Sequence, residues 1–332
     1  VCGRPPFDAV DRSELVHCHL AVEPTHPRER NPEVPQVLSD LIMRLLAKNA
    51  EDRYQSARGL KADLERCAQA WAETNDIPVF PLGETDISDR FRIPQKLYGR
   101  DRDVSILMDS FERVAQGYKE MMLVAGYAGV GKTSLVQEVY KPITRRHGYY
   151  IAGKFDQYKR DIPYGALIDA FQSLVKELLS EGEERLAEWG DWISEALGPN
   201  GQVIVDVIPE VELIVGRQPA THHLPPAESL NRFNLVFHSF IGVFAKEEHP
   251  LVIFLDDLQW ADSASLNLLH VLLTGSEHQH LFIIGAYRDN EIDAAHPLRG
   301  AIEDISKAGT TISRINLEPL PLPHINQLVA ET

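Results

Sequence analysis

Cysteine is scarce, with three in 332 residues and no Cys-x-x-Cys pair. Cys2, Cys18 and Cys67 are an odd number at unpatterned spacing. That excludes a disulfide framework and suits a reducing compartment, so a cytoplasmic location is expected. Cys18 lies among His17, His19 and His26. Neighbours along one helix or extended run do not converge on a single centre, so no metal is expected there. No apolar run approaches the roughly eighteen residues of a membrane span. There is no signal peptide and no initiating Met; Val1 opens inside a patterned segment, so a longer parent is expected. Basic residues are outnumbered 33 to 49, for a net charge of −16. The one dense basic cluster, Lys141 to His147, ends a predicted helix and complements its dipole. Nucleic acid is therefore not the expected partner.

The remaining composition, 44% hydrophobic and 25% charged, is that of a globular chain with room for one large domain or two ordinary ones. Its most informative stretch is Gly126-Tyr-Ala-Gly-Val-Gly-Lys-Thr133, a Gly-x-x-x-x-Gly-Lys-Thr pattern. The apolar run Met121–Ala125 stands before it, and Ser134–Tyr140 follows with apolar residues at helical spacing. Strand, glycine loop and helix together are the context of a phosphate-binding loop. Gly126, Gly129 and Gly131 permit tight turning, and backbone N–H groups at the helix start face the phosphates. Lys132 would reach the terminal phosphates and the Thr133 hydroxyl would ligate Mg²⁺.

The spacing of Val37, Leu38, Leu41, Ile42, Leu45 and Leu46 predicts a helix over 34–50. Ser56 reads as the N-cap of a second helix ending near Trp71. Residues 1–33 read as loops with one short helix. The segment 74–91, rich in proline and charge, reads as a linker, with a second domain over 92–332. Beyond it, strands are predicted at 121–125, 149–154, 251–255, 281–286 and 311–317. Helices are predicted near 101–116, 133–146, 164–180, 183–197, 227–247, 263–274 and 297–307. Alternating βα order with continuous apolar strands predicts an α/β fold, a parallel sheet covered by helices on both faces. Residues 198–226 carry no clear pattern.

The strand Leu251–Leu255 ends in Asp256 and Asp257. A buried parallel strand delivering a carboxylate at its C-terminal end would place Asp256 beside the glycine loop to hold Mg²⁺. Asp257 would orient or deprotonate the attacking water. Its side chain is one methylene shorter than the Glu common at this position in active ATPases, so slow hydrolysis is expected. The strand Leu281–Tyr287 ends in Arg288, on the same sheet edge, where a guanidinium could contact a γ-phosphate. The competing reading for Arg288 is a surface salt bridge to Asp289 or Glu291.

With these residues, 92–332 resembles the nucleotide-binding domain of the signal-transduction ATPases with numerous domains, close to the Orc1-like AAA ATPase group. Leu97-Tyr-Gly-Arg100, the 126–134 loop, Phe254–Asp262 (FLDDLQWAD) and Ala286–Glu291 (AYRDNE) carry the match, joined by Gly153–Tyr158 (GKFDQY). The resemblance implies that Tyr98, Gly99 and Arg100 lie near the adenine. It also implies that Val130 and Ser134 belong to the phosphate loop, that a helix starts around Asp262-Ser263, and that Arg288 is a sensor. A helical lid and winged-helix portion would follow Thr332. Residues 1–73 resemble the last helices of a serine/threonine protein kinase C-lobe through Gly3–Phe7 and Leu45–Ala57. None of the catalytic kinase motifs is present.

The combined expectation is an ATP- and Mg²⁺-binding, slowly hydrolysing P-loop switch behind the tail of a kinase domain. Its expected partners are ATP or ADP and the intramolecular kinase and downstream sensor domains of the parent. The rival readings are a nucleic-acid initiator ATPase and a scaffold that binds nucleotide without hydrolysing it.

Overall fold

The computed structural model describes residues 2–7, 15, 18–19, 22–48, 52–86, 97–158, 162–275 and 279–330. The chain divides into two compact units, Val1–Tyr98 with Leu322–Thr332, and Gly99–Pro321. The position near Arg92 at which the second domain was expected to begin lies outside the described residues.

In the first unit, α1 (Pro27–Arg30) and α2 (Gln36–Leu45) precede α3 (Ala57–Thr74). α3 starts where the Ser56 hydroxyl accepts the Gly59 N–H at 3.0 Å, the predicted cap. The described part of 74–91 is not a free tether. Ile77 and Phe80 are buried in one cluster with Val37 and Cys67. Asp86, its side chain 1% exposed, accepts hydrogen bonds from the Gln55 and Ser56 N–H groups and the Ser56 hydroxyl. Asp63 likewise accepts the Tyr54 hydroxyl and the Gly83 N–H. The extended segment shows no helical period, so its apolar residues do not announce their burial in sequence.

The second unit holds α4 (Asp101–Ala115), β1 (Glu120–Ala125), α5 (Lys132–Gln137), α6 (Tyr140–Arg145) and β2 (Tyr149–Lys154). Next come α7 (Gly165–Leu178), α8 (Glu183–Leu197), α9 (Gly201–Val205), α10 (Glu212–Val215) and α11 (Pro226–Phe244). Then follow β3 (Leu251–Asp256), α12 (Ser263–Thr274), β4 (Leu281–Tyr287), α13 (Pro297–Lys307) and β5 (Thr311–Asn316). The last helix, α14 (Leu322–Ala330), clusters with the first unit.

The strands form one parallel sheet in the order β2-β3-β4-β1-β5. β1 is buried throughout, β3 and β4 along all but their last residue, while the edge strands β2 and β5 are half exposed. Their sequences differ accordingly: continuous apolar runs inside, interruption by polar residues at the edges. Trp189, Phe171, Phe237, Phe240 and Phe244 fill the core beneath α7, α8 and α11.

One expectation needs correction, and one unplaced segment finds its place. The single helix expected over 133–146 is broken at Glu138–Val139 into α5 and α6. Pro142 has no N–H for the Glu138 carbonyl, and its ring crowds that position; Val139 bonds instead to the Val136 carbonyl, three residues back. Residues 198–226, unplaced from sequence, contain short helical turns whose Val203, Ile204, Val205, Ile208 and Val211 join the core. Pro209 and the glycines at 198 and 216 keep any turn from extending.

The packing of α7 on β2 leaves no room at Gly153, where a Cβ would lie 2.0 Å from the Ala166 carbonyl oxygen. Gly153→Ala is therefore expected to destabilise the fold by about 1–3 kcal/mol. Gly300→Ala, in open space on α13, should instead stabilise by about 0.5–1 kcal/mol. Urea denaturation of the two variants checks the pair, and equal shifts would contradict this packing.

Candidate functional site

Because every pairing is parallel, β1, β3 and β4 end on the same edge of the sheet, and the glycine loop leaves that edge from Ala125. Such an edge, where the strand order reverses, is where open α/β sheets bind ligands. Gly126 (φ 151°) passes so close to the residue after β5 that a Cβ would lie 2.7 Å from the Leu317 carbonyl oxygen. Gly131 adopts φ 100° as the N-cap of α5, a conformation that side chains resist. Gly129 also has positive φ, Val130 is half-buried, and Ser134 is exposed on the first turn of α5.

Lys132 is 8% exposed and its Nζ donates to the Gly126 and Tyr127 carbonyls at 2.8 and 2.9 Å. An ammonium has three donors, so one remains for an anion cradled by the loop. Burial lowers its pKa from the ordinary lysine value, opposed by the Asp256 carboxylate. Thr133 Oγ1 donates to Asp256 Oδ2 at 3.4 Å. The hydroxyl at the start of α5 and the carboxylate at the end of β3 thus face each other, although β4 separates β1 from β3. Two hard oxygen donors at this separation suit Mg²⁺ rather than a softer metal.

Asp257, 5% exposed, follows in a left-handed conformation (φ 53°). Its Oδ1 accepts Gln259 Nε2 at 3.0 Å and meets Arg288 Nε at 3.4 Å, while its Oδ2 meets Lys154 Nζ at 3.2 Å. Arg288 also donates to Glu291 Oε1 at 2.7 Å and lies 5.0 Å from the Trp260 ring centre. Its contact with Glu291, and to a lesser degree Asp257, raises its pKa. Arg288 thus makes both the Glu291 salt bridge of the competing reading and the contact with Asp257.

The structure brings Lys132, Thr133 and Asp256 together, and Asp257 with Arg288. Arg100 is 9% exposed and tied to backbone, with Nη2 at 2.5 Å from the Glu318 carbonyl and 3.5 Å from that of Val130. It therefore braces the loop against the segment after β5. Gly99 has φ 63°, and Tyr98, buried, falls in the other compact unit.

Sequence reading missed Lys154, Gln259 and Trp260. Lys154 ends β2 in register with Asp256; a polar residue closing an apolar strand is the signal that marked Arg288, and it applied here too. Gln259 lies inside the Phe254–Asp262 motif, but nothing in its spacing shows that it is buried and not a surface glutamine. Among the described residues no group of three or more His, Cys, Asp or Glu side chains could hold a metal; His17 lies outside them. No helix among the described residues is long and apolar enough to cross a membrane.

Residues 96–284 match the AAA ATPase domain family. The chain belongs to that family. Hybrid signal transduction histidine kinase G of Dictyostelium discoideum is 40% identical over 291 residues, covering 82% of this chain and 8% of that protein. Serine/threonine-protein kinase PknB of Mycolicibacterium smegmatis is 33% identical over 70 residues, covering 21% of this chain and 11% of that protein. The chain thus spans a small part of the curated relatives it matches. The chain is also similar to the crystal structure of Cdc6p from Pyrobaculum aerophilum, with 72% of this chain and 50% of that one covered. The identity is 11% and the TM-score 0.42, a likeness too low to bear on function.

Proposed function

We propose that the AAA domain is an ATP-binding, slowly hydrolysing switch in a multidomain signalling protein that also carries a serine/threonine kinase domain. The observation carrying this reading is the meeting of Thr133 Oγ1 with Asp256 Oδ2, 3.4 Å apart, beside the buried Lys132 ammonium. Mg²⁺ held by these two oxygens would neutralise charge on the β- and γ-phosphates. The loop N–H groups and Lys132 bind the phosphates, and Arg288, released from Glu291, reaches the γ-phosphate. Asp257 orients a water for attack on the γ-phosphorus and takes its proton as the bond to the β-phosphate oxygen breaks, giving ADP and phosphate. Lys154 occupies Asp257 Oδ2 at 3.2 Å and must move aside before that oxygen can receive a proton, consistent with slow turnover. The same occupied carboxylate favours a second reading, nucleotide binding without hydrolysis, which a phosphate-release assay separates from the first.

The kinase association draws on the resemblance of residues 1–73 to a kinase C-lobe and on the similarity to PknB. The relative from Dictyostelium extends the association of this domain with signalling kinases. Bound ATP would favour one arrangement of the parent's domains and ADP another.

Lys132→Ala removes the charge nearest the phosphates while leaving the loop backbone. A charged hydrogen bond is worth about 1.5–3 kcal/mol, so calorimetric titration should show ATP affinity lowered at least about tenfold.

Asp257→Asn is expected to bind ATP normally and release no phosphate, whereas Asp256→Asn should weaken the Mg²⁺ dependence of binding. Measuring binding and turnover for both checks the division of roles, and matching phenotypes would refute it.

Arg288→Ala should weaken ATP binding by about 1.5–3 kcal/mol and spare ADP, which lacks the γ-phosphate. If Arg288 serves only its pair with Glu291, the change costs under about 1 kcal/mol and leaves the ATP-to-ADP affinity ratio untouched.

A further inference from the structure

Gln259 stands in the tight turn Leu258–Trp260 that follows β3, and it is 2% exposed. A glutamine so deeply buried costs free energy unless its amide is used, and here both ends are. Its Oε1 accepts the Arg288 N–H at 3.2 Å, and its Nε2 donates to Asp257 Oδ1 at 3.0 Å. The orientation follows from the partners, since a backbone N–H only donates and an ionised carboxylate only accepts. The turn is itself pinned: the Trp260 N–H reaches the Asp257 carbonyl at 2.9 Å, and Leu258 lies where a Cβ on Gly285 of β4 would stand, 2.6 Å away. One amide therefore joins the carboxylate after β3 to the backbone at the end of β4.

We infer that Gln259 is a positioning residue for hydrolysis, coupling the Asp257 carboxylate to the β4 end that carries Arg288. This rests on the roles assigned above to Asp257 and Arg288. By holding Oδ1, Gln259 turns Oδ2 outward as the oxygen that takes the proton from water. Any shift of β4 as Arg288 engages a γ-phosphate is passed through the amide to the base. A glutamine that only filled a buried gap would leave turnover independent of its donor.

The test uses the whole chain, with phosphate release followed against pH beside ATP affinity for wild type, Gln259→Leu and Gln259→Glu. Gln259→Leu removes donor and acceptor together; its kcat should fall at least about tenfold, with KM changed less than about threefold. Gln259→Glu keeps the acceptor but sets a second carboxyl against Asp257 Oδ1. Two such groups do not ionise together readily; Arg288 and Lys154, 3.4 and 3.2 Å from Asp257, oppose that repulsion, so the pair holds one proton over part of the pH range. Protonated, the new carboxyl still donates to Asp257; ionised, it repels it. The kcat ratio of Gln259→Glu to wild type should therefore recover as pH falls and drop as pH rises, over about pH 5 to 9. A Gln259→Leu kcat within about twofold of wild type, or a flat ratio for Gln259→Glu, overturns the inference while the ATPase reading stands. Absence of phosphate release from wild type overturns that reading and this inference with it. If Gln259→Leu fails to fold, the pH profile of Gln259→Glu decides alone.

Discussion

Parallel pairing in register is the constraint on which the candidate site depends. Ala125 lies opposite Tyr287 and Lys154 opposite Asp256, so four strands finish within one layer of the sheet. A slip of one residue would turn every side chain to the other face, sending Asp256 away from Thr133 and Arg288 away from Asp257. The burial of β1, β3 and β4 resists such a slip. Site geometry and core stability are therefore the same set of contacts seen from two ends. The close passages at Gly126 and Gly153 belong to that arrangement, since each lets a neighbouring backbone press against the strand edge.

The charges at this edge are arranged against the balance of the whole molecule. The chain carries a net −16, yet Lys132, Lys154, Arg100 and Arg288 all stand around the loop and the ends of β2, β3 and β4. A buried carboxylate such as Asp257 is tolerable only where opposite charge and hydrogen bonds compensate its lost hydration. Lys154, Arg288 and Gln259 provide that compensation. The contacts that stabilise the residue also occupy the oxygens that the proposed chemistry needs, so a stable site and a slow proposed turnover would go together.

The two units meet different folding demands. Residues 99–321 bury enough apolar surface on both faces of the sheet to stand as an ordinary α/β core. Among its described residues the first unit has few helices, and it supplements them with the extended segment 77–86, held by Ile77 and Phe80 and by two buried aspartate side chains, Asp63 and Asp86. Buried carboxylates that collect backbone N–H donors can order a segment that has few hydrogen bonds of its own.

The strand positions, their parallel direction and the glycine loop were legible in sequence because each follows from a pattern along the chain. A continuous apolar run needs only its own residues to declare itself, and a glycine spacing declares a backbone path. Asp256, Asp257 and Arg288 could be singled out for a related reason: a polar residue closing a buried strand must emerge at the sheet edge. The break at Pro142 was also written in the chain, though masked by the helical period around it. The partners of Gln259 and the burial of residues 77–86 were decided only by tertiary structure, whereas Lys154 carried the same strand-end signal as Arg288. Which strand neighbours which, and which of two amide ends faces a carboxylate, depends on groups scores of residues apart. Hydrogen bonds act over a few ångströms, and proximity across a sheet leaves no trace in the spacing of residues along the chain.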